Sequence, residues 1–307
     1  MGIVSVTVLV PDDAGLAALA EIDGVVAVRY SRGAPLPEQA EQAEVLIPDL
    51  GSKDGNAELV ESLPKLKLIQ LLSAGAEDWV GKLPDGVLLS TCRGAHGGST
   101  AEWVAAVLLS MYRDLMEFAR QAEQRRWLSR PTETLQGKRV LIVGAGDLGT
   151  QLRSRLEPFD TRVTMVGLSA RDGVHAVREL PELLGDCDVV VLMVPLTSRT
   201  TGMVDAGFLA AIPSGGVLVN ASRGAVIDTA ALVAELESGR LRAALDVTDP
   251  EPLPAGHPLW TAPGVVLTPH VAGATHGAKR RSYAVAATEI ARYVHGELPN
   301  NLVHGEY

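Results

Sequence analysis

Lys138-Arg139-Val140-Leu141-Ile142-Val143-Gly144-Ala145-Gly146-Asp147-Leu148-Gly149 is the stretch around which this chain is organised. A short apolar, β-branched run stops at Gly144, and two more glycines follow at the G-x-G-x-x-G spacing. A helical pattern starts at once in Gln151-Leu152-Arg153-Ser154-Arg155-Leu156. Each glycine has a task in a dinucleotide site. Gly144 makes the tight turn out of the strand, Gly146 lets backbone N–H groups approach a pyrophosphate, and Gly149 lets helix and strand pack closely. The helix start then offers free N–H groups and a positive dipole end to the anion. Glycines punctuate ordinary strand-to-helix turns too, but the strand before and the helix after favour the dinucleotide reading.

The 307 residues are enough for two domains. A chain 47% hydrophobic and 21% charged has a globular rather than a disordered balance. The net charge of −10 disfavours nucleic acid or an anionic membrane as partner. The apolar start Met1–Val10 holds no Lys or Arg and soon reaches Pro11-Asp12-Asp13, so it reads as a first strand and not a signal peptide. No apolar run approaches bilayer length. Cys92 and Cys187 show no metal spacing and read as small buried residues of a cytoplasmic protein, with no metal site expected.

Residues 1–98 alternate candidate strands (Val4–Val10, Val25–Tyr30, Glu44–Ile47, Lys67–Leu72, Val87–Ser90) with helix-compatible segments (Ala14–Ile22, Glu38–Ala43, Glu58–Leu63). Such alternation predicts a parallel sheet with helices on both faces. Two strand-end loops stand out: Leu72–Glu77, a possible nest of N–H groups or a plain turn, and the glycine-dense Cys92–Ser99. Ser99-Thr100-Ala101-Glu102 has the capping-box pattern and predicts a helix start, with an almost wholly apolar helix to Tyr112. Residues 113–136 are charged, and read as a solvated connector or an arm over a partner subunit. A second alternation fills 138–274. Its strands are predicted at Arg139–Val143, Arg162–Val166, Val189–Val194, Gly216–Asn220, Leu245–Val247 and Val265–Thr268. Its helices are predicted at Asp147–Leu156, Leu180–Leu184, Ala206–Ala211 and Thr229–Ser238. A last helical pattern runs from Thr275 to His295.

In an NAD site a carboxylate ends the second strand and binds the ribose hydroxyls. Eighteen residues past Gly149 stands Gly167, followed by Leu168-Ser169-Ala170-Arg171-Asp172. A small residue, a hydroxyl (Ser169) and a guanidinium (Arg171) suit a 2′-phosphate, which favours NADP. In the alternative, Arg171 is a solvated loop residue, Asp172 takes the ribose, and the cofactor is NAD.

Three polar clusters follow strands of the second alternation: Asn220–Gly224, Leu245–Pro252 and Leu267–Gly273. They supply Arg223, Glu251 and His270. An Arg can hold a carboxylate and polarise a carbonyl, a His can give a proton to the oxygen as hydride reaches carbon, and a Glu can fix the tautomer of that His. Singly, each has an ordinary reading as a surface ion-pair residue, a solvated loop acid and a core histidine. Together, beyond a nucleotide loop, they point to reduction of a 2-keto acid.

With these motifs the sequence resembles the D-isomer-specific 2-hydroxyacid dehydrogenase family over nearly its whole length. Gly144–Gly149 resembles the nucleotide loop, Val194-Pro195-Leu196-Thr197 with Thr200 the segment under the nicotinamide half, Asn220–Gly224 the arginine segment, Asp246–Pro252 the glutamate segment, and Pro269-His270 the proton donor. The resemblance implies two doubly wound parallel-sheet α/β domains. A Rossmann cofactor domain with a dimerisation arm (99–274) would be inserted into a flavodoxin-like substrate domain (1–98 with 275–307), with the active site in the cleft. It implies catalysis by Arg223, Glu251 and His270. It implies cofactor contacts from Gly144, Gly146, Asp147, Leu148, Gly149, Ser169, Arg171, Val194, Pro195, Thr200, Ala221, Ser222, Arg223, Asp246 and His270. Substrate contacts would come from Arg223 and His270 and from Ser73, Ala74, Gly75 and Ala76, through backbone amides in the loop. A homodimer is implied as well.

Gly167 departs from the acidic residue of NAD-dependent members. Glu251 argues against formate dehydrogenase, which has glutamine there, and a chain ending at Tyr307 reads as one without the regulatory extension of long phosphoglycerate dehydrogenases. Glyoxylate or hydroxypyruvate reduction is the expectation. The alternatives are an NAD-dependent phosphoglycerate-type dehydrogenase and a cofactor-sensing interaction protein of corepressor type.

Overall fold

The computed structural model describes residues 5–50 and 56–305, the side chain of Asn56 excepted. The chain forms two compact units, Met1–His96 with His276–Tyr307, and Gly97–Thr275.

The first unit is built on five parallel strands, β1 (Val6–Val10), β2 (Val25–Arg29), β3 (Ala43–Leu46), β4 (Leu68–Gln70) and β5 (Leu88–Ser90), in the order β2-β1-β3-β4-β5. This is the flavodoxin-like order. Val4, the expected start of the first strand, lies outside the described residues. Helices α1 (Asp13–Leu19) and α2 (Asn56–Glu61) connect strands. Asp12 caps α1 by accepting from Gly15 N. The helix expected over Glu38–Ala43 is a 3-10 turn, Glu38–Gln42, entered from Pro37; a segment this short cannot sustain α-helical hydrogen bonding before β3 begins.

The second unit opens with α3 (Gly97–Tyr112), which begins two residues before the expected capping box, so Ser99 and Glu102 lie inside the helix. Gly97 is held from the start of the helix because the space its Cβ would need is filled by Asp147. One face of α3, including Val104, Leu108 and Met111, is buried in a core shared with Val140, Ile142, Leu152 and Leu156. The charged stretch after it contains α4 (Leu115–Glu123), none of whose residues is buried. Its Phe118 is half-buried under the Arg130 guanidinium, 5.7 Å from the ring centroid; the sequence reading took this charged stretch for a connector and missed the helix.

Seven parallel strands follow: β6 (Arg139–Val143), β7 (Arg162–Gly167), β8 (His175–Ala176), β9 (Val189–Leu192), β10 (Val217–Asn220), β11 (Arg242–Leu245) and β12 (Val265–Leu267), in the order β12-β11-β10-β9-β6-β7-β8. Helices α5 (Asp147–Leu156), α6 (Leu180–Leu184), α7 (Ala206–Ala211) and α8 (Thr229–Glu237) connect them. The reversal of direction between β6 and β9 is the switch point of a dinucleotide-binding sheet. Alternation along β6 sends Val140 and Ile142 into one core and Leu141 and Val143 into the other. This is why the strand reads as a continuous apolar run. Strand β11 lies three residues earlier than expected. Its register with β10 pairs Asn220 with Leu245, and Asp246 has already left the ladder to bind the loop beyond β12. The two-residue β8 was not anticipated, being too short to show a period.

The last helix, α9 (Ala278–Val294), returns to the first unit, where Tyr283, Ala286 and Ile290 bury against Val8 and Val10. The tail pairs Leu302 with Ser90 at the β5 edge.

Candidate active site

The three glycines of the nucleotide loop are required by different neighbours. Gly144 has φ +119°, and a Cβ there would lie 2.3 Å from the Met193 carbonyl oxygen. At Gly149 a Cβ would lie 2.0 Å from the carbonyl oxygen of Gly144, so α5 can start against the end of β6 only without a side chain. Gly146, the residue before α5, has nothing within 4 Å of its absent Cβ. The space beside Gly146, just before the start of α5, is therefore open, as the approach of a dinucleotide pyrophosphate needs.

At the end of β7, Arg171 folds back over Gly167. A Cβ on Gly167 would meet Arg171 Nη1 at 3.0 Å. Arg171 Nη2 donates to the Ala145 carbonyl at 2.6 Å, and Arg171 and Val174 exchange two backbone hydrogen bonds. The guanidinium thus stands next to where a side chain at position 167 would begin, and Ser169, two residues further on, is exposed. The loop after β9 is braced by Thr200, whose Oγ1 donates to the Pro195 carbonyl at 2.6 Å and accepts from Thr197 N at 2.8 Å. Val194 is half-buried.

Beyond β10, the wholly buried Asn220 organises the turn that presents Arg223. Its Oδ1 accepts from Ser222 N and Oγ at 3.0 and 2.7 Å, and its Nδ2 donates to the Arg223 carbonyl at 2.9 Å. Ser222 thus points its hydroxyl inward, while Ala221 and Arg223 are half-buried. Arg223 Nη1 donates to the Ser222 carbonyl at 2.7 Å. A Cβ on Gly224 would lie 2.0 Å from the Thr248 carbonyl, so the loop carrying Glu251 approaches the Arg223 turn at backbone contact. Thr229 Oγ1 donates to the Asp249 carbonyl at 2.9 Å, holding that loop to α8.

Glu251 Oε1 and His270 Nδ1 are 2.8 Å apart. A carboxylate only accepts, so Nδ1 carries the hydrogen and Nε2 is the nitrogen free to exchange a proton. His270 has φ +56°, a left-handed conformation that costs a non-glycine residue about 1–2 kcal/mol. Asp246, 3% exposed, sustains it. Its Oδ1 accepts from Thr268 Oγ1 at 2.6 Å and Val271 N at 2.9 Å, its Oδ2 accepts from Ala272 N at 2.9 Å, and its carbonyl accepts from His270 N at 2.7 Å. The resemblance assigns Asp246 to the nicotinamide end; here three of its roughly four acceptor positions hold the histidine loop. Asn220 and Thr268 are positioning residues that sequence reading missed. The only signal was their place at strand ends, two residues before Ser222 and His270.

The Leu72–Glu77 loop belongs to the first unit. Ser73 turns its hydroxyl to the Gly75 carbonyl at 2.7 Å, and its own carbonyl accepts from Cys92 N at 2.8 Å. Ala74 and Gly75 are half-buried and Ala76 is buried. His96 Nε2 reaches the Leu72 carbonyl at 3.2 Å. Cys92 and Cys187 are both buried, and burial pushes each thiol up to about 12. Among the described residues no helix is long and apolar enough to cross a membrane.

The NAD-binding domain of D-isomer specific 2-hydroxyacid dehydrogenases matches residues 105–272. A glyoxylate reductase of Thermofilum pendens is 32% identical, over 99% of this chain and 94% of its own. A D-isomer specific 2-hydroxyacid dehydrogenase of Xanthobacter autotrophicus, solved with NADPH and MES, superimposes with a TM-score of 0.85 at 30% identity, covering 98% of both chains. An NADPH-dependent glyoxylate/hydroxypyruvate reductase of Sinorhizobium meliloti, solved with NADP and sulfate, gives 0.84 at 26% identity over 99% of this chain and 100% of that one. The chain belongs to the D-isomer specific 2-hydroxyacid dehydrogenase family, a class of NAD(P)-dependent oxidoreductases.

Proposed function

We propose that this protein reduces glyoxylate or hydroxypyruvate to the D-2-hydroxy acid, with NADPH in preference to NADH. The observation that carries the reading is the Glu251–His270 pair, held by Asp246 in the unit that also carries the nucleotide loop. In this reading residues 97–275 bind the cofactor. Gly144, Gly146, Asp147, Leu148 and Gly149 hold the pyrophosphate by backbone, and Ser169 and Arg171 the 2′-phosphate. Val194, Pro195, Thr200 and Ala221 line the nicotinamide half, while Ser222 and Asp246 stand behind it, bracing the Arg223 turn and the histidine loop. The first unit receives the substrate carboxylate on the Ser73–Ala76 loop.

The bound cofactor supplies a hydride to the keto carbon. Arg223 binds the substrate carboxylate and polarises the carbonyl, and protonated His270 delivers its Nε2 proton to the carbonyl oxygen. Glu251 keeps the ring oriented and balances its positive charge before that transfer. Arg171 over Gly167 is what supports NADPH over NADH.

The same reading makes the protein a homodimer in the cytoplasm. No residue of helix α4 is buried, and Leu115, Met116, Leu128 and Trp127, the last 99% exposed, present apolar surface. Apolar surface of this kind calls for a second copy. Size determination by light scattering would give a dimer, and a monomer at micromolar concentration would remove this part of the reading. For the activity itself, rates with NADPH and NADH are compared across glyoxylate, hydroxypyruvate and phosphohydroxypyruvate. Faster turnover of the first two with NADPH is the expected result. A clear preference for phosphohydroxypyruvate with NAD(H) would favour the phosphoglycerate-type alternative.

A further inference from the structure

In a nucleotide loop the helix start offers uncancelled positive charge to an anion. Here the first residue of α5 is itself acidic. Asp147 turns its carboxylate against Gly97, the first residue of α3: a Cβ there would lie 2.1 Å from Asp147 Oδ2 and 2.8 Å from its Cγ. The next glycine, Gly98, faces Arg155, with 3.1 Å between its absent Cβ and Nη2. Asp147 and Arg155, two turns apart on one side of α5, thus both face the Gly-Gly start of α3. Asp147 Oδ2 is buried and has no hydrogen-bond partner among the described residues. The carboxylate lies at the start of two helices, its own and α3, whose dipoles favour a negative charge there.

We propose that Asp147 is a resident anion of the cofactor site, weakening dinucleotide binding through its charge. The proposal rests on the reading that Gly144–Gly149 hold the pyrophosphate. Charge at the start of α5 cancels part of the field that the pyrophosphate would otherwise use. Because NADPH and NADH share that pyrophosphate, Asp147 acts on both alike, whereas Arg171 acts on the 2′-phosphate alone.

The test is titration of NADPH and NADH by fluorescence into wild-type protein and into the Asp147→Asn and Asp147→Ser variants, at low and at high salt. Serine is a good helix-starting residue and serves where asparagine packs poorly. Both cofactors are expected to bind the variants about three- to ten-fold tighter at low salt, the size of one screened charge, with the difference shrinking at high salt. Unchanged or weaker binding in both variants, insensitive to salt, would assign Asp147 to packing alone and overturn the proposal. Failure of the wild-type protein to bind either cofactor would instead bring down the reading beneath it.

Discussion

Glu251 Oε1 lies 2.8 Å from His270 Nδ1, on a loop that approaches the Arg223 turn so closely at Gly224 that a Cβ there would lie 2.0 Å from the Thr248 carbonyl. The pair fixes which imidazole nitrogen can exchange a proton. His270→Ala is expected to lower kcat by about 10²- to 10⁴-fold, the range of a general acid, while NADPH binding survives. Steady-state rates with a parallel binding titration decide it; unchanged turnover would remove His270 from this role.

Arg171 lies over Gly167 where an acidic side chain would otherwise stand. Loss of a charge-assisted contact to a phosphate costs about 1.5–3 kcal/mol, or roughly ten- to a hundred-fold in affinity. Arg171→Ala should therefore raise the Kd for NADPH by that factor and leave NADH nearly untouched. Gly167→Asp should move preference towards NADH, since it puts a carboxylate at the end of β7, its Cβ meeting the far end of Arg171, Val174 Cγ1 and Ala145 Cβ at 3.0, 3.1 and 3.5 Å. Equal losses for both cofactors in Arg171→Ala would point to NAD.

Gly224 separates cofactor binding from chemistry. A methyl group there would meet the Thr248 carbonyl at 2.0 Å, and backbone must move. The loop it displaces carries Glu251. Gly224→Ala should cost kcat about 10²-fold, the scale of a misplaced catalytic group, with a much smaller change in NADPH affinity. Full activity in this variant would show that the Thr248–Asp249 loop is not needed where it stands.

Asp188 ties the start of β6 to the segment before β9. Its Oδ2 accepts from Arg139 N at 2.8 Å and its Oδ1 from Arg139 Nη2 at 3.1 Å. Burial by itself raises the carboxyl, but hydrogen bonds from the Arg139 side chain and backbone outweigh it and hold it below the usual range. A depressed carboxylate stabilises the fold above its unfolded value, near pH 4, and that contribution is lost as pH falls through the lower folded value. Asp188→Asn should lower the urea midpoint at pH 7 and narrow its difference from wild type at about pH 3. A difference that persists undiminished in acid would show that ionisation of Asp188 plays no part.

Much of this architecture is present in local sequence. The apolar run Arg139–Val143 and the helix Asp147–Leu156 fall where their residues predict, because a strand buried on both faces and a glycine-punctuated helix start are local properties. Helices Leu180–Leu184 and Ala206–Ala211 were legible for the same reason. The residue types at 223, 251 and 270 led to the expectation of acid–base chemistry on a carboxylate-bearing substrate. The pairing of Glu251 with His270 was likewise expected from residue type. What local pattern could not convey is which other groups meet. Only the folded chain sets the Asp246 carboxylate to hold a left-handed histidine, turns Asp147 against Gly97, and leaves no residue of α4 buried. Each depends on contacts between residues far apart in sequence, where packing and charge override the preferences of any short stretch.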